Sequence, residues 1–409
     1  MEKLDKATKS KDSIEMFKLG YSFFAGEGVQ QDYQKAKELF EKSANLGNLD
    51  AIYNLGVLHA NGIGGQQNYS EAVKCFEKAA LLGHKAAMFY LATLYEQGQG
   101  VPQDYKKAKE LYEKLVVEYK DYDAMLNLAL IYLNGLTRKY DYVKAKDYLE
   151  ELAMLGKPLA MYNLGCMYQN GNGVEKDMSI AINYWEQAVQ YDEPNSMFSL
   201  AILYAEGVEV KKDLQKAKEL YEKAAKLGHL KAMNNLGYMY ECEAKNDQDY
   251  QKAFKLYEQA ATQGDPKAML SMAYFYSEGI SLKQDFLKAK EWYEKAASLN
   301  ESKAMYNLGF LYTEGKGVEK DYLKAREWFE KAADFNEPMA LCQLGTFYAN
   351  GQGVARDSLK ATKLWIRAAK LGDRTAATNL KILKEIMIKQ HLQNKENLKI
   401  NNDADKLPF

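Results

Sequence analysis

Leu308-Gly309-Phe310-Leu311-Tyr312-Thr313-Glu314-Gly315-Lys316-Gly317-Val318-Glu319-Lys320-Asp321-Tyr322-Leu323-Lys324-Ala325 reads as the end of one helix, a glycine turn and the start of a second helix. Just upstream, Ala304 and Met305 join Leu308, Gly309 and Tyr312 on one stripe of a 3.6-residue helix, a spacing that a strand does not produce. The small residue after the Leu admits a neighbouring helix at close range. Asp321 stands four residues before Ala325 and opens a helix-forming stretch. An acid there accepts hydrogen bonds from backbone N–H groups that a helix start leaves unpaired.

The same segment recurs outward in both directions. Leu19-Gly20, Leu55-Gly56, Leu91-Ala92, Leu128-Ala129, Leu164-Gly165, Leu200-Ala201, Leu236-Gly237, Met272-Ala273 and Leu344-Gly345 all match Leu308-Gly309, and the series fades at Leu380-Lys381. Each step is 36 residues except one of 37, between the third and fourth repeats. A fixed period of this size means stacked supersecondary units and an extended working surface.

Individual slots say what each position does. Asp32, Asn68, Asp104, Asp141, Asp177, Asp213, Asp249, Asp285, Asp321 and Asp357 occupy the N-cap slot of the second helix, which excludes reading them as a metal array. Gly47, Gly83, Gly156, Gly228, Gly264 and Gly372, with Asn300 and Asn336, stand where a helix ends in a left-handed residue. The Met ladder from Met16 to Met269 is expected in the core, because thioethers fill irregular gaps. Trp185, Trp292, Trp328 and Trp365 lie seven or eight residues after the cap and are expected to be packing residues.

Composition narrows the function. With 55 basic and 56 acidic side chains the formal charge is -1, which argues against bulk attraction to nucleic acid or anionic lipid. No apolar run is long enough to span a bilayer, and no secretory signal is visible in Met1 to Asp12. Cys75, Cys166, Cys242 and Cys342 are scattered without pairing, which fits a reducing, cytoplasmic setting. Neither cysteines nor the four histidines show metal-ligand spacing, and Gly-x-Gly-Val opens onto an Asp that would repel phosphate. No cofactor and no metal is expected, and catalysis is not.

The pattern Leu-Gly-x-x-Tyr-x-x-Gly-x-Gly-Val-x-x-Asp-x-x-Lys-Ala, then an aromatic and Lys-Ala-Ala, resembles the Sel-1-like repeat family; Leu308 to Ala333 shows it nearly complete. The resemblance implies a tetratricopeptide-like α/α solenoid that assembles other proteins. It also raises one alternative, a hydrolase of the cysteine-rich, β-lactamase-like type, and the period near 36 raises a second, an RNA-binding helical repeat. The paired cysteines of the first are missing. For the second, Lys231, Lys267 and Lys303 form a ladder, but Glu278 and Glu314 on the same helices are expected to offset it, an acidic peptide being the next reading.

The expected fold is therefore all-α: a right-handed α/α superhelical solenoid of about ten 36-residue repeats over residues 14–374. A polar segment (1–13) precedes it, and a capping helix (375–393) and a disordered tail (394–409) follow. The expected function is a non-enzymatic scaffold that binds a protein or peptide, with no nucleic acid and no membrane insertion. Positions two before and two after each Leu point away from the core stripe, toward the concave face of such an array. Together with the Asn before the Leu they give the candidate contacts Tyr53, Asn54, Phe89, Tyr162, Asn163, Phe198, Asn235, Tyr238, Tyr274, Tyr306, Asn307 and Phe310. Rings would grip side chains and amides would bond a partner's backbone.

Overall fold

The structure is a computed structural model that describes residues 12–404, with side chains to residue 389. Helices pair within each repeat: α1 (Ser13–Ala25) with α2 (Tyr33–Asn45), α3 (Leu49–Asn61) with α4 (Tyr69–Leu81), α5 (Lys85–Gln97) with α6 (Tyr105–Tyr119), α7 (Tyr122–Leu133) with α8 (Tyr142–Met154), and α9 (Pro158–Asn170) with α10 (Met178–Val189). The series continues with α11 (Pro194–Glu206) and α12 (Leu214–Lys226), α13 (Leu230–Glu243) and α14 (Asp247–Thr262), and α15 (Pro266–Glu278) and α16 (Phe286–Ser298). It ends with α17 (Ser302–Glu314) and α18 (Tyr322–Asp334), α19 (Pro338–Asn350) and α20 (Ser358–Lys370), then α21 (Arg374–Ala404). No strand occurs among the described residues. The fold is the α/α solenoid that the period implies, and it divides into two compact units, Met1–Ser196 and Met197–Phe409.

Within a repeat, the small residue of the first helix faces the ring of the second helix twenty residues later. A Cβ added at Gly56 would lie 2.6 Å from Phe76, at Gly309 2.6 Å from Phe329, and at Gly345 2.5 Å from the Trp365 indole nitrogen; Gly165 meets Trp185 more closely still. The Ala four residues after each second-helix cap slot, Ala36 to Ala361, is at most 1 % exposed and so wholly enclosed. The methionines at positions 16, 88, 125, 161, 197, 233, 269 and 305 are buried, as expected of a core ladder.

Packing then recruits the charged side chains. The Lys before that Ala lies over the Tyr four residues after the Leu: Lys107 over Tyr95, Lys144 over Tyr132, Lys216 over Tyr204, Lys324 over Tyr312 and Lys360 over Tyr348, at 4.1–5.6 Å from the ring centre. Between repeats, the hydroxyls of Tyr95, Tyr132 and Tyr240 donate to Glu77, Glu113 and Glu222 of the preceding repeat at 2.7–3.1 Å. A polar slot thus ties the array together in both directions.

The caps follow the sequence with one exception. Asp32, Asn68, Asp141, Asp177, Asp213 and Asp357 each accept a backbone N–H three residues on, and Asp104, Asp285 and Asp321 accept two. Asp249 does not cap. The repeat-seven loop has no glycine to stop the chain, so α13 runs to Glu243 and α14 starts early, capped by Asn246. Asp249 sits in the first turn and accepts the Lys245 N–H at 3.2 Å. At the helix ends, Gly47 and its equivalents take positive φ, as do Asn300 (65°) and Asn336 (60°). The bonds Asn48 N–H to Ser43 and Gly47 N–H to Ala44 form the Schellman pattern.

Two further expectations change, and the one-residue insertion finds its place. The one-residue insertion is absorbed by lengthening α6 to Tyr119, with Lys120 left-handed at φ 50°. The last helix runs to Ala404, past residue 393, into the segment expected to be a disordered tail, and Ile382, Ile386, Met387 and Ile388 are exposed on it. Trp185 and Trp365 are buried, whereas Trp292 and Trp328 are only half-buried, under Lys295 and Lys331 at 4.0 and 4.1 Å. One residue of helix register, 100°, separates a core position from a flank. Segment 1–11 and residues 405–409 lie outside the described residues.

Candidate functional site

The two flanks of the Leu behave differently. Two residues before it, the side chain packs inward onto the core ring of its own repeat: Phe17 on Phe40 at 5.6 Å, Tyr53 on Phe76 at 5.9 Å, Phe89 edge-on to Tyr112 at 5.7 Å, Phe198 on Tyr221 at 5.9 Å, and Tyr306 on Phe329 at 5.6 Å. Tyr162 is half-buried and its carbonyl accepts the Trp185 indole N–H at 3.2 Å. Tyr53 also stacks on His84 at 4.7 Å, and burial pushes its hydroxyl up to about 12. Two residues after the Leu, Tyr238, Tyr274 and Phe310 are 61 %, 45 % and 37 % exposed. Those three stand on successive first helices of the second unit.

The Asn series is already engaged. Where the core ring of the preceding repeat is a tyrosine, the amide crosses to its hydroxyl: Asn127 to Tyr112 and Asn235 to Tyr221, each at 3.1 Å, and Asn307 to Tyr293. Where that position is Phe40 or Leu149, with no hydroxyl, the amide turns back to its own helix, Asn54 to the Asp50 carbonyl and Asn163 to the Leu159 carbonyl, both at 2.7 Å. The members that meet a tyrosine fasten neighbouring repeats, and the residue type fourteen or fifteen positions before each Asn is a signal the sequence held.

Four of the twelve candidate contacts come together. Tyr274, Tyr306, Asn307 and Phe310 line one cleft of about 200 Å³ between α15 and α17, floored by Tyr293 and rimmed by Glu278 and Lys316. Lys316 covers the Phe310 ring at 5.4 Å. Tyr238 lies on the preceding first helix, and Tyr53, Asn54, Phe89, Tyr162, Asn163, Phe198 and Asn235 are spent on packing elsewhere.

Charge completes the face. Lys231, Lys267 and Lys303 are exposed, seven residues before Tyr238, Tyr274 and Phe310, and two turns of helix put each Lys on the same side as its ring. Glu278 and Glu314, also exposed, follow four residues after Tyr274 and Phe310. Lys and Glu are eleven residues apart on one helix, about 16 Å along the axis. That exceeds the screening length of about 8 Å at physiological salt. The two rows therefore do not cancel, contrary to the sequence expectation; each helix is basic at its start and acidic at its end.

Nothing here is arranged for metal chemistry: no group of three or more His, Cys, Asp or Glu side chains converges among the described residues. His84 and His229 are helix caps, their Nδ1 atoms accepting the N–H of Ala87 and Ala232 at 3.1 and 3.0 Å.

Ten consecutive segments, from 16–48 to 338–373, match the Sel1 repeat model. The chain belongs to the Sel1-repeat family. Among solved structures, this Sel1-repeat protein is similar to a protective antigen present in uropathogenic Escherichia coli strains that displays an SLR fold. The identity is 27 % and the TM-score 0.53, over 97 % of this chain and 93 % of that one. It is also similar to a Sel1 repeat protein from Oxalobacter formigenes, at 26 % identity and TM-score 0.50, over 85 % and 90 % of the two chains. A comparison with curated protein sequences returns no match. Sel1 repeats are generally protein-interaction scaffolds. No helix among the described residues is long and apolar enough to cross a membrane.

All four cysteines of this Sel1-repeat protein are free. Burial pushes the Cys342 thiol up to about 12, whereas Cys242 is exposed on α13. Thiolate is the reactive form. Alkylation of the native protein at pH 8 is therefore expected to label Cys242 and spare Cys342 until denaturant is added. Peptide mapping by mass spectrometry checks this, and rapid native labelling of Cys342 would refute its enclosure.

Proposed function

We propose that this Sel1-repeat protein is a non-catalytic, cytoplasmic adaptor that holds a protein or peptide partner on the face built by α13, α15 and α17. The observation that carries the reading is the run of exposed rings Tyr238, Tyr274 and Phe310 on three successive repeats, beside the cleft over Tyr293. Exposed aromatics clustered on a rigid scaffold are what interface anchors look like, since their burial against a partner carries much of a binding energy. Four free cysteines support the reducing compartment. The candidate contacts narrow to Tyr238, Tyr274 and Phe310, with Tyr306 and Asn307 in the cleft wall.

Replacing Tyr238, Tyr274 and Phe310 together by Ser is expected to leave the melting temperature within a few degrees and to weaken partner capture at least about ten-fold. A photo-crosslinking residue at position 274 is expected to trap the partner, and one at Met154, 83 % exposed in the first unit, is not. Undiminished capture by the folded triple variant would move the binding site to another face.

A further inference from the structure

The exposed face of α13, α15 and α17 has three parallel rows running across the helices. Lys231, Lys267 and Lys303 form the first, Tyr238, Tyr274 and Phe310 the second, and Glu278 and Glu314 the third, with Cys242 in the remaining place. None of these charged side chains has an ion-pair partner among the described residues. The equivalent places on the other first helices hold no such set: the Lys row is replaced by Ile14, Asp50, Ala86, Asp123, Leu159, Asn195 and Met339. The arrangement is confined to repeats seven to nine and lies wholly within the second unit.

We propose that the occupant of this face is an amphipathic helix lying across α13, α15 and α17. Its apolar stripe covers Tyr238, Tyr274 and Phe310, its acidic flank faces the three lysines, and its basic flank faces Glu278 and Glu314. This rests on the reading of that face as the partner site. Width selects a helix. The outer rows are about 16 Å apart, which matches a helix of 10–12 Å diameter with long side chains reaching outward on both flanks. An extended strand occupies only about 4.8 Å in that direction and would leave one charge row unanswered. Apolar residues at i, i+7 and i+14 of the partner stay on one face and recur about every 10.5 Å, on the order of one helix diameter. The charge rows add register and orientation, because like charges across an interface are penalised.

The test uses the full chain and synthetic peptides of about 20 residues, with fluorescence anisotropy as the readout. Two peptides share composition and an apolar i, i+7, i+14 stripe; one carries Glu on one flank and Lys on the other, and the second mixes both charges on each flank. The segregated peptide is expected to bind at least about ten-fold tighter, with the advantage shrinking as salt rises. In a Lys231→Glu, Lys267→Glu, Lys303→Glu variant, whose changes are all at exposed positions, the advantage is expected to vanish. Equal affinity of the two peptides, both lost when Tyr238, Tyr274 and Phe310 become Ser, would overturn the partner chemistry and leave the face standing. Binding indifferent to those three rings would overturn the face itself. A segregated peptide interrupted by a central Pro that binds equally well would overturn the helix, and absence of binding by all peptides would overturn the proposal.

Discussion

Trp185→Ala is expected to cost about 3–5 kcal/mol and to unfold its own neighbourhood first, whereas Trp328→Ala, which loses buried area but leaves no enclosed void, is expected to cost about 2 kcal/mol. Trp185 is wholly enclosed; its indole backs onto Gly165, and its N–H donates to the Tyr162 carbonyl at 3.2 Å. Truncation leaves a ring-sized void and removes the indole's hydrogen bond to that carbonyl. Trp328 is half-buried, with the Lys331 ammonium 4.1 Å from its ring. Because each repeat contacts mainly its neighbours, hydrogen exchange in Trp185→Ala is expected to lose protection in α9 and α10 ahead of α18. Denaturant melts give the two costs. Equal costs would place both tryptophans in the core and refute the helix register; uniform loss of protection would refute the nearest-neighbour array.

That comparison shows where sequence reading reaches its resolution. The 36-residue period, the Met ladder, the second-helix caps and the left-handed Gly and Asn positions were legible, because each depends on local geometry that one residue type serves best. Trp328 and Trp185 looked alike because they stand seven and eight residues after a cap. Only the packing partner tells them apart: Phe329 fills the core place beside Gly309, and Trp328 is left on the flank. Asp249 was misread for a related reason. Its place in the 36-residue frame was right, but without a loop glycine the helix boundary moved upstream to Asn246, and frame alone does not record that.

The candidate face was half legible. A helical wheel treats positions two before and two after the Leu as equals, being symmetric about it. In the solenoid the second helix of each repeat lies to one side, so Tyr53, Phe89 and Phe198 turn into it while Tyr238, Tyr274 and Phe310 stay outside. The Asn residues looked available because their partners, Tyr112, Tyr221 and Tyr293, belong to another helix. Asn54 and Asn163 bond their own helices where no such hydroxyl is present, so the amide's partner within the fold follows the ring.

The pairing of small residue and ring makes the same point in a form that can be measured. A Cβ at Gly56 would lie 2.6, 2.8 and 2.9 Å from three carbons of the Phe76 ring, which is fully enclosed and has nowhere to move. Gly56→Ala should then lose about 1–3 kcal/mol to overpacking. The better helix propensity of Ala returns at most about 1 kcal/mol. A net loss of about 1–2 kcal/mol is expected, where an open helix interior would show a gain. In the fourth repeat Ala129 stands in the place of Gly56 and its core partner is Leu149, a smaller side chain than Phe; in the third, sixth and eighth, Ala92, Ala201 and Ala273 stand twenty residues before Tyr112, Tyr221 and Tyr293, so those rings are seated to admit a methyl where Phe76 as placed is not. Phe76→Leu alone opens a void and is expected to cost about 1–2 kcal/mol. Combined, the extra methyl occupies the space the ring vacates, so the double variant is expected to be more stable than the sum of the single losses by about 1 kcal/mol or more. Chemical denaturation of the four proteins closes the cycle. Strict additivity would mean that Gly56 is small for a reason other than the ring beside it, and that the rule joining each first helix to its second has been drawn between the wrong residues.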